Sequence, residues 1–205
     1  MKNAVIYIHG KGGTAREAEH YKPLFEDRDV IGFDYRSETP WEAAEEFPRF
    51  VDPICKKYGS VILIANSIGA YFAMQGLGDL RIEKAFFISP IVDMETLITN
   101  MMTWAGVTED ELRRRGEIPT SFGETLSWDY LEYVRAHPIS WNIPTDILCS
   151  EKDGLTSPDT VSRFADRIGA GLTVMENGEH WFHTKEQMDF LDKWISDRRR
   201  RNERY

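Results

Sequence analysis

Val61-Ile62-Leu63-Ile64-Ala65-Asn66-Ser67-Ile68-Gly69-Ala70 decides how this chain is read. Its first five residues are apolar and largely β-branched, too short a run for a helix, and describe a strand buried on both faces. The run passes through Asn66 and Ser67 directly into residues 68–77, an apolar stretch of helical length. So abrupt a corner brings the strand end against the helix start, so the positions two before and two after the corner residue must be small. They are Ala65 and Gly69. The corner residue is a serine. Its hydroxyl stands out from the sheet edge, and the Ile68 N–H opens the positive end of the following helix beside it.

Working outward, five further short apolar runs occur at residues 4–8, 30–33, 85–88, 145–149 and 172–175, with helical patterns at 15–25, 41–58, 159–168 and 185–199 between or after them. Such alternation predicts an α/β fold: a three-layer sandwich with a mainly parallel six-stranded sheet and helices on both faces. Within 41–58, Ala44, Phe47, Phe50, Val51 and Ile54 share a helix face, and Pro48 predicts a kink or a short first segment. Between Ser89 and Pro144 no strand-like run occurs, only helical patterns at 93–104, 108–115 and 128–136. This reads as a helical lid inserted at about 91–143 in a single domain covering 1–205.

Polar residues with chemistry sit where these strands end. The first strand runs into His9-Gly10-Lys11-Gly12-Gly13, the fifth into Ser150-Glu151-Lys152-Asp153, and the last into Asn177-Gly178-Glu179-His180. In a parallel sheet all these ends share one edge, where ligands bind. Serine becomes a nucleophile only with a base, a group orienting the base, and donors for the developing oxyanion. Glu151 and Asp93 are alternative acids for the orienting role, and His183 is a second histidine near the last turn.

The order Ser67, Asp153, His180, each at the appropriate strand end, resembles the α/β-hydrolase superfamily from residue 4 to about 195, apart from the lid. The strand-to-helix serine is similar to that family's nucleophile elbow, with Ala65 where the commonest pattern has glycine. The resemblance implies an α/β-hydrolase fold lacking the first two strands, with Ser67 as nucleophile, His180 as base and Asp153 as its orienter. It also implies an oxyanion hole from the Lys11 and Ile68 backbone N–H groups, with His9 holding its loop by a ring hydrogen bond. The expected reaction is cleavage of a small carboxylic ester or related acyl bond through an acyl-enzyme, with no metal or organic cofactor. Gly10, Trp181 beside His180, and Met101 and Trp104 of the lid are the expected substrate contacts, making an apolar pocket for a small-molecule acyl substrate.

Other readings compete. Gly10, Gly12 and Ala15 satisfy G-x-G-x-x-A after a strand, and Asp34 ends the next strand, as in a dinucleotide-binding Rossmann fold. That reading leaves the elbow and everything beyond residue 140 unexplained. A non-catalytic binding module on the same fold is the second rival. The formal charge of −9 repels phosphate backbones, so nucleic acid is not an expected partner. No segment approaches the ~18 apolar residues of a membrane span, and two cysteines make no disulfide framework, so a cytoplasmic protein is the default expectation. Cys149 lies in an apolar run and reads as a small buried hydrophobe, and the run Arg198–Arg201 as a solvated helix end.

Overall fold

The computed structural model describes residues 2–202, which form two compact units: residues up to Val92 together with those from Ser140 onward, and Asp93–Ile139. In the first unit the apolar runs pair as a wholly parallel six-stranded sheet. Its strands are β1 (Asn3–Ile8), β2 (Arg28–Phe33), β3 (Val61–Asn66), β4 (Lys84–Ile88), β7 (Thr145–Ser150) and β8 (Gly171–Met175). The order is β2-β1-β3-β4-β7-β8, which differs from the 3-2-1-4-5-6 order of dinucleotide-binding folds. Register places Ile8 beside Ala65 and Asn66 beside Ile88, so the segments after β1, β3 and β4 start level with one another.

In the central strands β1, β3 and β4 both even and odd residues are apolar and buried, because both faces are covered. On one face Val5, Tyr7, Ile62, Ile64, Phe86, Ile88 and Leu148 pack with Ala18 and Tyr21 of α1 (Ala18–Tyr21) and with Leu191, Trp194 and Ile195 of α8 (Lys185–Asn202). Toward the other, Phe33 meets Phe47 of α2 (Pro40–Lys57), which in turn meets Phe72 of α3 (Ile68–Gly76). The remaining helix of this unit, α7 (Pro158–Ile168), is capped by Ser157 and stopped by Gly169 in the left-handed conformation.

Several expectations are corrected. The helix expected over 15–25 is broken into a 3-10 turn, the four residues of α1, and a second 3-10 turn carrying Pro23. Pro48 does not divide α2, which runs unbroken through Pro48 and Pro53 from a Thr39–Glu42 capping box. Pro53 is exposed and Pro48 only half-buried. Arg198 and Arg199 are not simply solvated: Arg198 bonds Asp146 and Thr173, and Arg199 bonds Asp27 and stacks on Phe25. The side chain of Arg201 lies outside the described residues.

The second unit contains α4 (Met94–Ala105), α5 (Glu109–Arg115), a hairpin of β5 (Glu117–Pro119) and β6 (Thr125–Ser127), and α6 (Trp128–Ala136). The hairpin corrects the expectation of helices alone. Its strands are three residues each, and only Ile118 and Leu126 are buried, too little for a periodic signal. Arg135 ties the unit together, donating to Glu95 at 2.7 Å and to both Glu109 oxygens at 2.8 and 2.9 Å. Among the described residues no helix is long and apolar enough to cross a membrane.

Candidate active site

At the corner after β3 the backbone of Ser67 takes φ 50° and ψ −122°, a conformation that non-glycine residues rarely adopt. Three backbone bonds hold it there: Ser67 N–H to Ile88 O at 3.0 Å, and Ala70 and Ile91 N–H to Ser67 O at 3.2 Å each. The need for glycine two residues on is now concrete. A Cβ on Gly69 would fall 2.3 Å from His9 O and 2.9 Å from an Ile8 methyl, and a Cβ on Gly10 would fall 3.2 Å from Ser67 Cβ. The loop after β1 is therefore seated directly on the elbow. Gly69→Ala should cost about 1–3 kcal/mol as the loop is forced away, which urea unfolding would register.

That loop is itself braced. Gly13 N–H donates to Gly10 O at 3.1 Å, closing a turn whose third residue, Gly12, has the positive φ of 75° that a type II turn requires. His9 Nδ1 donates to Gly10 O at 2.8 Å and the ring stacks on Tyr35, whose hydroxyl donates to His9 O at 2.9 Å. His9 thus faces its own loop.

The three chemical side chains come together. Ser67 Oγ lies 2.8 Å from His180 Nε2, and His180 Nδ1 lies 2.7 Å from Asp153 Oδ2. The acceptor at Nδ1 is a carboxylate, so Nδ1 carries the proton and Nε2 presents its lone pair to the hydroxyl. Asp153 is 1% exposed and His180 20%, so the carboxylate is sequestered while the ring stays reachable. The other Asp153 oxygen, Oδ1, accepts N–H bonds from Leu155 at 2.8 Å and Thr156 at 3.0 Å, which fixes the carboxylate plane.

The remaining candidates are placed elsewhere. Glu151 accepts the Asn177 N–H at 2.8 Å, tying the acid loop to the turn before His180. Asp93 caps α4 through Thr96. His183 neither starts the last helix nor approaches the serine; it precedes α8 in a loop, stacked on the exposed Trp181 ring at 4.3 Å. Met101 and Trp104 lie on α4 of the second unit, with Trp104 edge-on to Phe122. The Cys149 thiol is pushed up to about 11 by burial and by the nearby Asp153 charge, so it is no rival nucleophile. Sequence reading missed Tyr7 and Glu17, whose hydroxyl and carboxylate meet beside the elbow. The spacing Thr14-x-x-Glu17 is the capping-box signal that could have drawn attention to the second of them.

No protein-family model matches the sequence. A Mycoplasma genitalium protein with an esterase/lipase name is 28% identical over 103 residues, a match that takes in 44% of this chain and 37% of that protein. The chain therefore aligns with well under half the length of this relative. Among solved structures, mouse alpha/beta hydrolase domain-containing protein 10 superposes with a TM-score of 0.72 at 19% identity, covering 95% of this chain and 88% of its own. Est1E from Butyrivibrio proteoclasticus gives 0.71 at 15%, covering 96% and 87%. An esterase from Pyrococcus furiosus gives 0.63 at 20%, covering 100% and 82%. By its parallel sheet, the serine corner after β3 and these superpositions, the chain is an α/β-hydrolase in fold.

Proposed function

We propose that this protein is a serine hydrolase that cleaves a small carboxylic ester, or a related acyl bond, through an acyl-enzyme on Ser67. The observation that carries the reading is the unbroken hydrogen-bonded line from Ser67 through His180 to Asp153, at 2.8 and 2.7 Å. As Ser67 Oγ attacks the acyl carbon, its proton passes to His180 Nε2, and the buried Asp153 carboxylate stabilises the imidazolium that results. The carbonyl oxygen becomes an oxyanion facing the N–H groups of Ile68, at the start of α3, and Lys11, in the turn seated on the elbow. Collapse expels the alcohol, protonated by His180. Water then attacks the acyl-enzyme with the same ring as base, restoring Ser67 and releasing the acid. Gly10, lying against Ser67, and Trp181, next to His180 in the chain, are the proposed substrate contacts. The esterase and lipase names among the relatives fit this chemistry.

A series of p-nitrophenyl esters and thioesters of graded acyl length tests the reading. Turnover should be measurable and should fall beyond a limiting chain length. Absence of turnover on every member, with no labelling by a fluorophosphonate, would sink the proposal. Asp153→Asn is expected to lower kcat about 10⁴-fold by admitting the wrong imidazole tautomer. Glu151→Gln and Asp93→Asn should stay within about tenfold of the parent, since neither side chain reaches the ring.

A further inference from the structure

The two backbone donors assigned to the oxyanion come from segments far apart in sequence, Lys11 after β1 and Ile68 after β3, so something must fix their separation. We infer that Glu17 is a positioning residue that does so, locking the far end of the Lys11 loop to the residue before the nucleophile; the inference rests on the hydrolase reading above. Glu17 Oε1 accepts the Thr14 N–H at 3.0 Å. Its other oxygen, Oε2, accepts a very short bond from the Tyr7 hydroxyl. Tyr7 Oη in turn accepts from Asn66 Nδ2 at 3.0 Å. A phenol has one proton, and here the carboxylate takes it, so Asn66 must present its amide nitrogen. The line therefore has one consistent direction of donation from Asn66 to Glu17.

Its two ends are the relevant ones. Asn66 is the last residue of β3 and adjoins Ser67, and Thr14 closes the loop that contains Lys11. The start of that loop is already set by the close fit of Gly69 under His9 O and by Tyr35 donating to the same carbonyl. Lys11 lies between the two fixed points. Glu17 also presses on the loop directly, since a Cβ on Gly13 would fall 2.8 Å from its Oε1. Burial, reinforced by the neighbouring Tyr21 and Glu17, pushes the Tyr7 phenol far above its ordinary range, so it remains a protonated donor at any working pH. None of these groups touches the substrate. They hold a donor within the few tenths of an ångström that oxyanion stabilisation demands.

Glu17→Ala, Glu17→Gln and, as control, Glu19→Ala separate this role from general stability. Glu17 and Glu19 are both exposed residues, and Glu19 pairs with Lys22 on the surface, so all three variants should fold. Turnover of p-nitrophenyl acetate is normalised to sites titrated with a fluorophosphonate, and affinity is measured for a trifluoromethyl ketone, whose serine adduct places an oxyanion in the hole. Glu17→Ala should lower kcat about tenfold with KM within about twofold, and ketone affinity should fall in parallel. Glu17→Gln should recover only part of both, because its amide oxygen still accepts from Thr14 while its nitrogen, a donor, cannot accept the Tyr7 proton. Glu19→Ala should match the parent. A labelled, active parent whose kcat and ketone affinity are unchanged in Glu17→Ala would overturn the inference and leave the hydrolase reading intact. A parent that is neither labelled nor active would remove both.

Discussion

Ester turnover is expected to fall by about 10⁴- to 10⁶-fold when Ser67 is replaced by alanine, with the fold preserved. The substitution deletes one oxygen and nothing that holds the corner in place. The Ser67 N–H still reaches Ile88 O, and its carbonyl still receives Ala70 and Ile91. Alanine meets the positive φ of this position with the same Cβ that serine carries, so little strain is added. Folding stability should change by less than about 1 kcal/mol, while fluorophosphonate labelling disappears. The activity that remains should be that of the oxyanion donors and substrate binding, which survive the change. Rates of hydrolysis and labelling, measured beside a urea unfolding curve on the same preparation, check all three statements. Parent-like turnover in Ser67→Ala would show that the line of three side chains is not where the chemistry occurs.

At the opposite edge of the sheet a different aspartate is expected to control stability without touching chemistry. Asp146, the second residue of β7, accepts Lys84 Nζ at 2.5 Å and Arg198 Nη1 at 3.0 Å, so one carboxylate serves two cations. Lys84 and Asp146 are each only 9% exposed. Space for the carboxylate exists because the facing position on β8 is Gly171, where a Cβ would fall 2.2 Å from Asp146 Oδ1. Asp146→Ala leaves the buried Lys84 ammonium and the Arg198 guanidinium facing each other with no counter-charge, and should cost about 3–5 kcal/mol. Asp146→Asn should cost less, because its amide oxygen can still accept from one of them. In a parallel sheet this end of β7 is remote from the Ser150–Asp153 end, so turnover per titrated site should match the parent below the unfolding transition. Equal unfolding midpoints for Asp146→Ala and the parent would contradict the assignment.

These two aspartates show where sequence reading succeeds and where it stops. Asp153 could be singled out because it follows an apolar run, in a loop whose place in an alternating α/β pattern is set by local hydrophobicity. Asp146 lies inside the run, and nothing in residues 145–149 announces that its partners are Lys84, 62 residues earlier, and Arg198, 52 residues later. The same distinction explains the smaller misreadings. Residues 117–127 form a hairpin whose two strands carry one buried side chain each, below what a periodic pattern can register. The short first segment allowed for at Pro48 followed from its missing N–H, but the buried Ala43, Phe47 and Val51 give α2 a continuous apolar face that carries the helix past it.

What the sequence by itself determined is the layer architecture and the corner at Ser67, since strand length, helix period and the small residues at 65 and 69 are properties of neighbouring positions. Only the tertiary structure decided which acid meets which histidine, and that Tyr7 and Glu17 join the two loops around the serine. Those pairings depend on loop ends brought within 3 Å of each other by the register of strands far apart in the chain, and hydrogen bonds discriminate on a scale that no spacing along the sequence records.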